Sequence, residues 1–332
     1  MSNNKTLVTG SGGFIGSAVV RKLLENGRAV RALVAPGEKR TNLAGLDVEI
    51  VESDITSREA MGRVVKGCDR VFHLAAIYQL WLPDPGLMYR VNVEGSKTVL
   101  WAAYKAGCSR VVFTSSIAAV GSRSDGLPST EDDPFTDADW QAGNSYMRSK
   151  WLSELDAKRF AQEGLPLVIV NPSFPFGARD IGPTPTGSFI VEALHGRMPG
   201  YIDSGLSLID VDDCAQGHLL AEEKGRIGER YILANHNVNF RDFYRTVSEV
   251  AGIQVPDRKL PRAFALGYAA ALEQWGKLRK QKPRATYKGL RYTAYPHYFD
   301  GSKAKTELGL PSTPLPVTVE KAVRWFRENG YA

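Results

Sequence analysis

The chain has 332 residues, 43% hydrophobic and 23% charged, enough to bury a core in one large domain or two modest ones. Its formal charge of +6 and pI near 9.1 suit anionic ligands such as dinucleotide phosphates, acidic substrates or an anionic membrane surface; with no interleaved aromatic and basic pattern, nucleic acid is excluded as a partner. No apolar run approaches the roughly 20 residues of a bilayer span. The first four residues lack the pattern of a secretion signal. Three cysteines (Cys68, Cys108, Cys214) and five histidines (His73, His195, His218, His236, His297) stand in no metal or redox spacing. Reduced thiols in a cytoplasmic protein without a metal site are the expectation.

The first predicted strand covers residues 5–9 and runs into Gly10-Ser11-Gly12-Gly13-Phe14-Ile15-Gly16, after which an amphipathic helix begins. Strand, tight turn and helix with glycines three apart form a dinucleotide fingerprint. Side chains at Gly10 or Gly13 would stand where pyrophosphate oxygens sit, and Gly16 lets the helix lie close to the strand. The helix N-terminus then faces the anion. Further strands are expected at 29–34, 47–52, 69–74, 110–115 and 166–171, with helices over 13–26, 57–66, 86–107 and 145–163; Gly27 and Gly107 fall at helix ends. This alternation predicts an α/β fold, a Rossmann-type doubly wound parallel sheet that binds its ligand at the carboxyl ends of the strands.

The second strand ends at Val34-Ala35, where an NAD site ordinarily carries a carboxylate for the ribose 2′-hydroxyl. No acid stands there to repel a 2′-phosphate, and Lys39 and Arg40 follow within reach of one. NADP is therefore favoured, with NAD as the alternative.

From residue 171 the texture changes. Pro172, Pro175, Gly177, Gly182, Pro183, Pro185 and Gly187 predict a structured loop. A strand then runs into a helix through residues 208–220, a strand follows at 230–234, and helices are expected near 239–252, 261–278 and 316–328. Residues 1–170 are read as the dinucleotide-binding domain. Residues 171–332 form a smaller substrate lobe interleaved with the sheet.

Tyr146 and Lys150 lie one helical turn apart, and Thr114-Ser115-Ser116 ends the fifth strand in hydroxyls. A tyrosine serving as a base near neutral pH must drop about three units from its usual pKa near 10, or about 4 kcal/mol. An ammonium at about 4 Å supplies about that much at an effective dielectric of 20. Ser116 would hydrogen-bond the reacting oxygen. Alone, each of these features is more often a surface pair or a strand terminus.

Together with the glycine turn they identify a resemblance. The chain is similar to the extended short-chain dehydrogenase/reductases through Thr9 to Gly16, Asp54-Ile55, His73-Leu74-Ala75-Ala76, Asn92-Val93-Glu94-Gly95, Thr114-Ser115-Ser116, Tyr146-Met147-Arg148-Ser149-Lys150 and Val211-Asp212-Asp213. Within them it resembles the dihydroflavonol-4-reductase-like branch. It is most similar there to proteins called hopanoid-associated sugar epimerases, through residues 78–85, 179–187 and 325–331. The resemblance implies catalysis by Ser116 (Ser115 as second choice), Tyr146 and Lys150. It implies cofactor contacts from Gly10, Gly12, Gly13, Phe14, Ile15, Gly16, Asp54, Ile55, Ala75, Ala76, Asn92, Thr114, Ser115, Tyr146, Lys150, Pro172 and Ser173. It also implies a homodimer.

The substrate side is less legible. Gln79 and Trp81 follow the fourth strand, Tyr78, Phe174 and Phe176 offer an apolar wall, and Arg179 a charge for an anion. In residues 261–291 an apolar set (Phe264, Leu266, Tyr268, Leu272, Trp275) leads into Lys277, Arg279, Lys280, Lys282, Arg284, Lys288 and Arg291. That pattern suits peripheral contact with an anionic membrane, or a helix packed on the small lobe with a solvated end. Three functions compete: an oxidoreductase reducing a ketone or aldehyde, or oxidising the matching alcohol, with NAD(P)(H); an epimerase of a sugar or sugar nucleotide that retains its cofactor; and a non-catalytic sensor of dinucleotides, which would have no need of Tyr146 and Lys150.

Overall fold

The computed structural model describes residues 5–79, 82, 84–123, 125–279, 290 and 295–332. Among these, seven parallel strands form one sheet in the order β3-β2-β1-β4-β5-β6-β9. They are β1 (Lys5–Thr9), β2 (Val30–Val34), β3 (Glu49–Glu52), β4 (Cys68–His73), β5 (Arg110–Thr114), β6 (Leu167–Pro172) and β9 (Arg230–Leu233). A parallel sheet is covered on both faces, so its strands read as continuous apolar runs. Alternate residues serve opposite sides: Leu7, Val71, Val111, Phe113 and Ile169 enter one core, Val8, Phe72, Val112, Val168 and Val170 the other.

Helix α1 (Phe14–Glu25) and α8 (Val211–Lys224) cover the second face. The first is covered by α2 (Arg58–Val65), α4 (Ser96–Lys105) and α6 (Ser145–Gln162). Gly27 and Gly107, at φ of 69° and 67°, terminate α1 and α4. The expected helix over 86–107 is interrupted: α3 (Pro85–Tyr89) passes through a π-helical turn, Arg90–Gly95, before α4. One extra residue per turn rotates the following face, a feature that collects at functional sites.

Beyond β6 the chain builds a second, three-stranded sheet that periodicity did not announce. Strands β7 (Phe174–Phe176) and β10 (His236–Asn239) flank β8 (Gly205–Asp210), parallel and antiparallel respectively. Their runs of three and four residues are too short to read as strands. The expected structured loop at 171–187 thus holds β7 and ends at α7 (Gly187–Leu194). α5 (Asp137–Ala142) was likewise too short to read. Helices α9 (Phe240–Ala251) and α11 (Leu315–Glu328) pack over the small sheet on a third apolar core. β9 and α8 both follow residue 170, yet both belong to the large sheet and its layers.

Helix α10 (Arg262–Leu278) buries Ala265 and Ala269 and leaves Phe264, Tyr268, Trp275 and Leu278 exposed. Lys280, Lys282, Arg284, Lys288 and Arg291 of the basic tail lie outside the described residues, as does the side chain of Lys277.

Candidate active site

The carboxyl ends of β1, β4, β5 and β6 lie side by side, and chain order reverses between β1 and β4. That is the switch point at which doubly wound sheets bind ligands. The glycine turn, Ala75-Ala76, Thr114-Ser115-Ser116 and Pro172-Ser173 all follow these strand ends, and Tyr146 and Lys150 come from the first turns of α6.

The glycine turn is packed more tightly than the sequence reading supposed. Gly10 has φ of 66°, and a Cβ there would approach the Ala75 backbone to 2.8 Å; a Cβ on Gly16 would strike the Gly10 carbonyl. These two glycines answer to the protein's own backbone. On Gly13 a Cβ would meet just the Gly10 carbonyl among the described residues, at 3.3 Å, and Gly13 begins α1 without a capping side chain. α2, α6, α8 and α9 by contrast cap their first turns with Ser57, Asn144, Asp210 and Asn239. The N–H groups around Phe14 and Ile15 therefore face a cradle that suits a pyrophosphate. Ser173 adds a buried hydroxyl without a hydrogen-bond partner among the described residues. Both features fit a nicotinamide dinucleotide, which brings phosphates to one and polar groups to the other.

At the reaction centre Ser116 stands beside the Tyr146 phenol and lowers its pKa, and the Tyr146 ring packs 5.0 Å from that of Tyr78. The Lys150 ammonium donates to the Thr114 carbonyl at 2.9 Å. Burial pushes the phenol up to about 12 and pulls Lys150 down to about 8. Desolvation is the first cause of both shifts, with Ser116 lowering the phenol and Glu154 raising the lysine.

Neighbouring serines separate. Ser115 donates to Glu154 Oε2 at 2.6 Å behind the strand, so its side chain is a support and not the second choice for catalysis. Thr114 likewise turns its hydroxyl to His218, 3.0 Å away, and offers the site only its carbonyl. Asn92, in the π turn, spends its amide on protein partners. It is 1% exposed, accepts from the Ile77 N–H (2.7 Å), and donates to the Ile77 carbonyl (3.1 Å) and to Ser149 Oγ (3.0 Å). Ser149 in turn donates to the Tyr146 carbonyl.

Sequence reasoning missed three supports. Glu154 lies one turn beyond Lys150 on the same helical face, a spacing that could have found it. It gathers Ser115, Asn171, Arg230 and Lys158. Asn171 is the polar break in an apolar strand, and also donates to the Ser116 carbonyl at 2.9 Å. His73 links Thr9 at 2.7 Å to Ser96 at 2.8 Å. Thr9 Oγ1 already accepts the N–H groups of Leu74 and Ala75, so its proton goes to His73 Nδ1, and Nε2–H donates to Ser96. Burial beside Lys150 pushes His73 down to about 3 and keeps it neutral.

The remaining expectations fare unevenly. Phe176 packs on Phe243 at 5.3 Å and is 2% exposed, and Phe174 shares that core; of the expected apolar wall, Tyr78 alone lies against Tyr146. Arg179 holds φ of 74°, and its carbonyl accepts from Asn42, which also donates to the Gly12 carbonyl. It therefore borders the glycine turn. Ile55 is core, and Asp54 closes its own turn on the Thr56 N–H at 2.9 Å. Arg40 pairs with Glu52 at 2.7 Å, and Lys39 and Gln79 are exposed. Trp81 lies outside the described residues. The β2 end does meet a carboxylate: Glu38 Oε2 accepts from the Ala35 N–H at 2.8 Å, which corrects the reading that no acid stands there.

Residues 6–234 match the model of the NAD dependent epimerase/dehydratase family. The chain belongs to this family. The epimerase/dehydratase proteins are extended short-chain dehydrogenase/reductases, in keeping with the motifs above. A Synechocystis sp. relative provisionally named dihydroflavonol 4-reductase is 39% identical over 98% of this chain and 95% of its own. Sterol demethylase protein B of Methylococcus capsulatus is 32% identical over 98% and 99%. Cinnamoyl-CoA reductase 2 of Arabidopsis thaliana is 30% identical over 98% and 92%. Among solved structures, gox2253 superposes with a TM-score of 0.87 at 41% identity over 99% of both chains. PA4631 of Pseudomonas aeruginosa, described as a nucleoside-diphosphate-sugar epimerase, gives 0.80 at 29% over 98% of both. Reductases and epimerases of the epimerase/dehydratase family thus share this architecture.

Proposed function

We propose that the chain is an NAD(P)(H)-dependent oxidoreductase that reduces a ketone or aldehyde, or oxidises the matching alcohol, at a Ser116–Tyr146–Lys150 site. The observation that carries this reading is the placement of Tyr146 and Lys150 on the first turns of α6 beside the end of β5, where the Lys150 ammonium reaches the Thr114 carbonyl at 2.9 Å. The dinucleotide, held by the glycine cradle, would supply the hydride. As the new C–H bond forms and the carbonyl π bond breaks, Tyr146 gives its proton to the carbonyl oxygen and Ser116 steadies the charge that gathers there. Lys150 keeps a positive charge beneath the site and stands ready to favour the phenolate left behind. The reductase names among the relatives support this direction.

An epimerase that oxidises and re-reduces one sugar carbon while keeping its cofactor is the second reading, supported by the likeness to PA4631, a nucleoside-diphosphate-sugar epimerase. Net consumption of reduced cofactor, read at about 340 nm, with a panel of ketones, aldehydes and sugar nucleotides separates the two. Mass spectrometry of molecules that copurify names the substrate class. The reductase reading expects net turnover, and expects Tyr146→Phe to lose about 10²–10⁴ in rate while still binding dinucleotide. Tightly retained cofactor with no net absorbance change overturns it in favour of epimerisation.

Residues 171–332 are read as the part that covers the substrate. Homodimerisation rests on the resemblance, and a cytoplasmic location on the buried free thiols Cys68, Cys108 and Cys214. Contact between α10 and an anionic membrane surface is supported by its exposed apolar stripe and by a sequence in which Glu273 is the only acid between 261 and 291.

A further inference from the structure

The turn after β2 carries a carboxylate back to the glycine loop. The Glu38 N–H donates to the Ala35 carbonyl at 3.0 Å, and the Ala35 N–H donates to Glu38 Oε2 at 2.8 Å. Main chain and side chain thus close the turn from both ends and fix the carboxylate. Its other oxygen, Oε1, lies 2.6 Å from the point where Gly12 would carry a Cβ, so the acid rests directly against the loop. From the other side Asn42 donates to the Gly12 carbonyl at 3.2 Å. The two nearby cations do not meet this acid: Arg40 reaches to Glu52 at the end of β3, and Lys39 is exposed. Glu38 itself is only partly exposed. Its carboxylate stands at the carboxyl end of β2, beside the pyrophosphate cradle, where the adenosine ribose of a dinucleotide comes to lie.

We propose that Glu38 reads this ribose, accepting a hydrogen bond from its 2′-hydroxyl and rejecting a 2′-phosphate, so that the chain takes NAD(H) in preference to NADP(H). The proposal rests on the dinucleotide site described under the proposed function. An ionised carboxylate only accepts hydrogen bonds, and a ribose hydroxyl offers it a donor. A phosphate ester at the same atom offers acceptors and like charge. Selectivity then comes as much from the repulsion as from the bond. The sequence favoured NADP because the acid is absent at Val34-Ala35; the fold returns one from three residues downstream.

Isothermal titration of the full-length, dinucleotide-free protein with NAD⁺ and NADP⁺ tests this without reference to any substrate. The wild type is expected to bind NAD⁺ at least about tenfold more tightly, the worth of one charge-assisted hydrogen bond. Glu38→Gln and Glu38→Ser, checked by thermal melting, should each lower the NAD⁺/NADP⁺ affinity ratio at least about tenfold, chiefly by admitting NADP⁺. Arg40→Ala should leave the ratio unchanged. A wild type that prefers NADP⁺, Glu38 variants with the wild-type ratio, or an Arg40→Ala variant that selectively loses NADP⁺ would each overturn the assignment to Glu38 while leaving the dinucleotide site intact. Failure of both dinucleotides to bind would overturn the site and this proposal together.

Discussion

Ser115 and Ser116 follow one another on a single strand end, and the alternation of an extended chain sends them to opposite sides. One meets a buried glutamate, the other a phenol. Their substitutions should therefore fail differently. Ser116→Ala should lower kcat about 10–10³-fold and cost about 1 kcal/mol of stability, because its hydroxyl also accepts the Ala118 N–H. Ser115→Ala should leave kcat near wild type and cost about 1–3 kcal/mol of stability, because Glu154 loses a donor inside the protein. Paired kinetic and thermal-melt measurements check both; equal loss of kcat in the two variants contradicts the division of labour. The resemblance had placed the role on Ser116. The hydroxyl directions, which hold the reason, depend on where α6 and β6 bring Glu154 and Asn171, residues 38 and 55 positions beyond Ser116.

At the scale of elements, two helices depart from the simplest amphipathic plan. The α3–α4 segment takes a π turn, and that turn carries Asn92, whose amide ties the loop after β4 to α6 through Ile77 and Ser149. Sequence periodicity sees a helix there but not the extra residue, since the change is one of backbone winding. α10 has two apolar faces, a narrow one of Ala265 and Ala269 turned inward and a broad one of Phe264 (61% exposed), Tyr268, Trp275 and Leu278 turned outward. A helix held by alanines and displaying aromatics is not explained by packing on its own lobe. Co-sedimentation with vesicles containing about 30% anionic lipid should capture the protein at low salt and release it at high salt, through screening. Trp275→Ser with Phe264→Ser should abolish capture. No binding at low salt removes the membrane reading.

At the scale of the whole molecule, charged side chains tie helices on each face of the large sheet to the sheet itself. Glu222 of α8 holds Arg28 and Arg70 beneath the sheet, and Arg230 on β9 reaches Glu154 of α6. Two buried histidines add a pH dependence. Burial lowers His73 to about 3 and His218 to about 4, whereas in the unfolded chain both titrate near 6.5. The unfolded state then binds more protons below pH 6.5, so stability is full above that value and is lost as pH falls toward 4. Asp180, raised to about 6 by burial, works the opposite way: its contribution is full below about 4 and is lost as pH rises through 6. Glu131, raised by burial, acts in the same sense as Asp180; the two histidines carry the larger shifts, and a net loss of stability is expected between pH 7 and pH 5. The loss should shrink in His218→Gln; a melting temperature that rises over this interval contradicts the neutral-histidine assignment.

The sequence by itself determined the parallel sheet, its glycine turn, the i, i+4 placement of Tyr146 and Lys150, and the family, because each is written in local spacing: apolar runs, positive-φ glycines and helical periodicity. Only the tertiary structure decided that Ser115 turns to Glu154, that Phe176 belongs to a core, and that Glu38 returns to Gly12. These depend on contacts between residues distant along the chain or on the folding back of a turn. Burial, charge and side-chain direction exist only once the strands lie side by side.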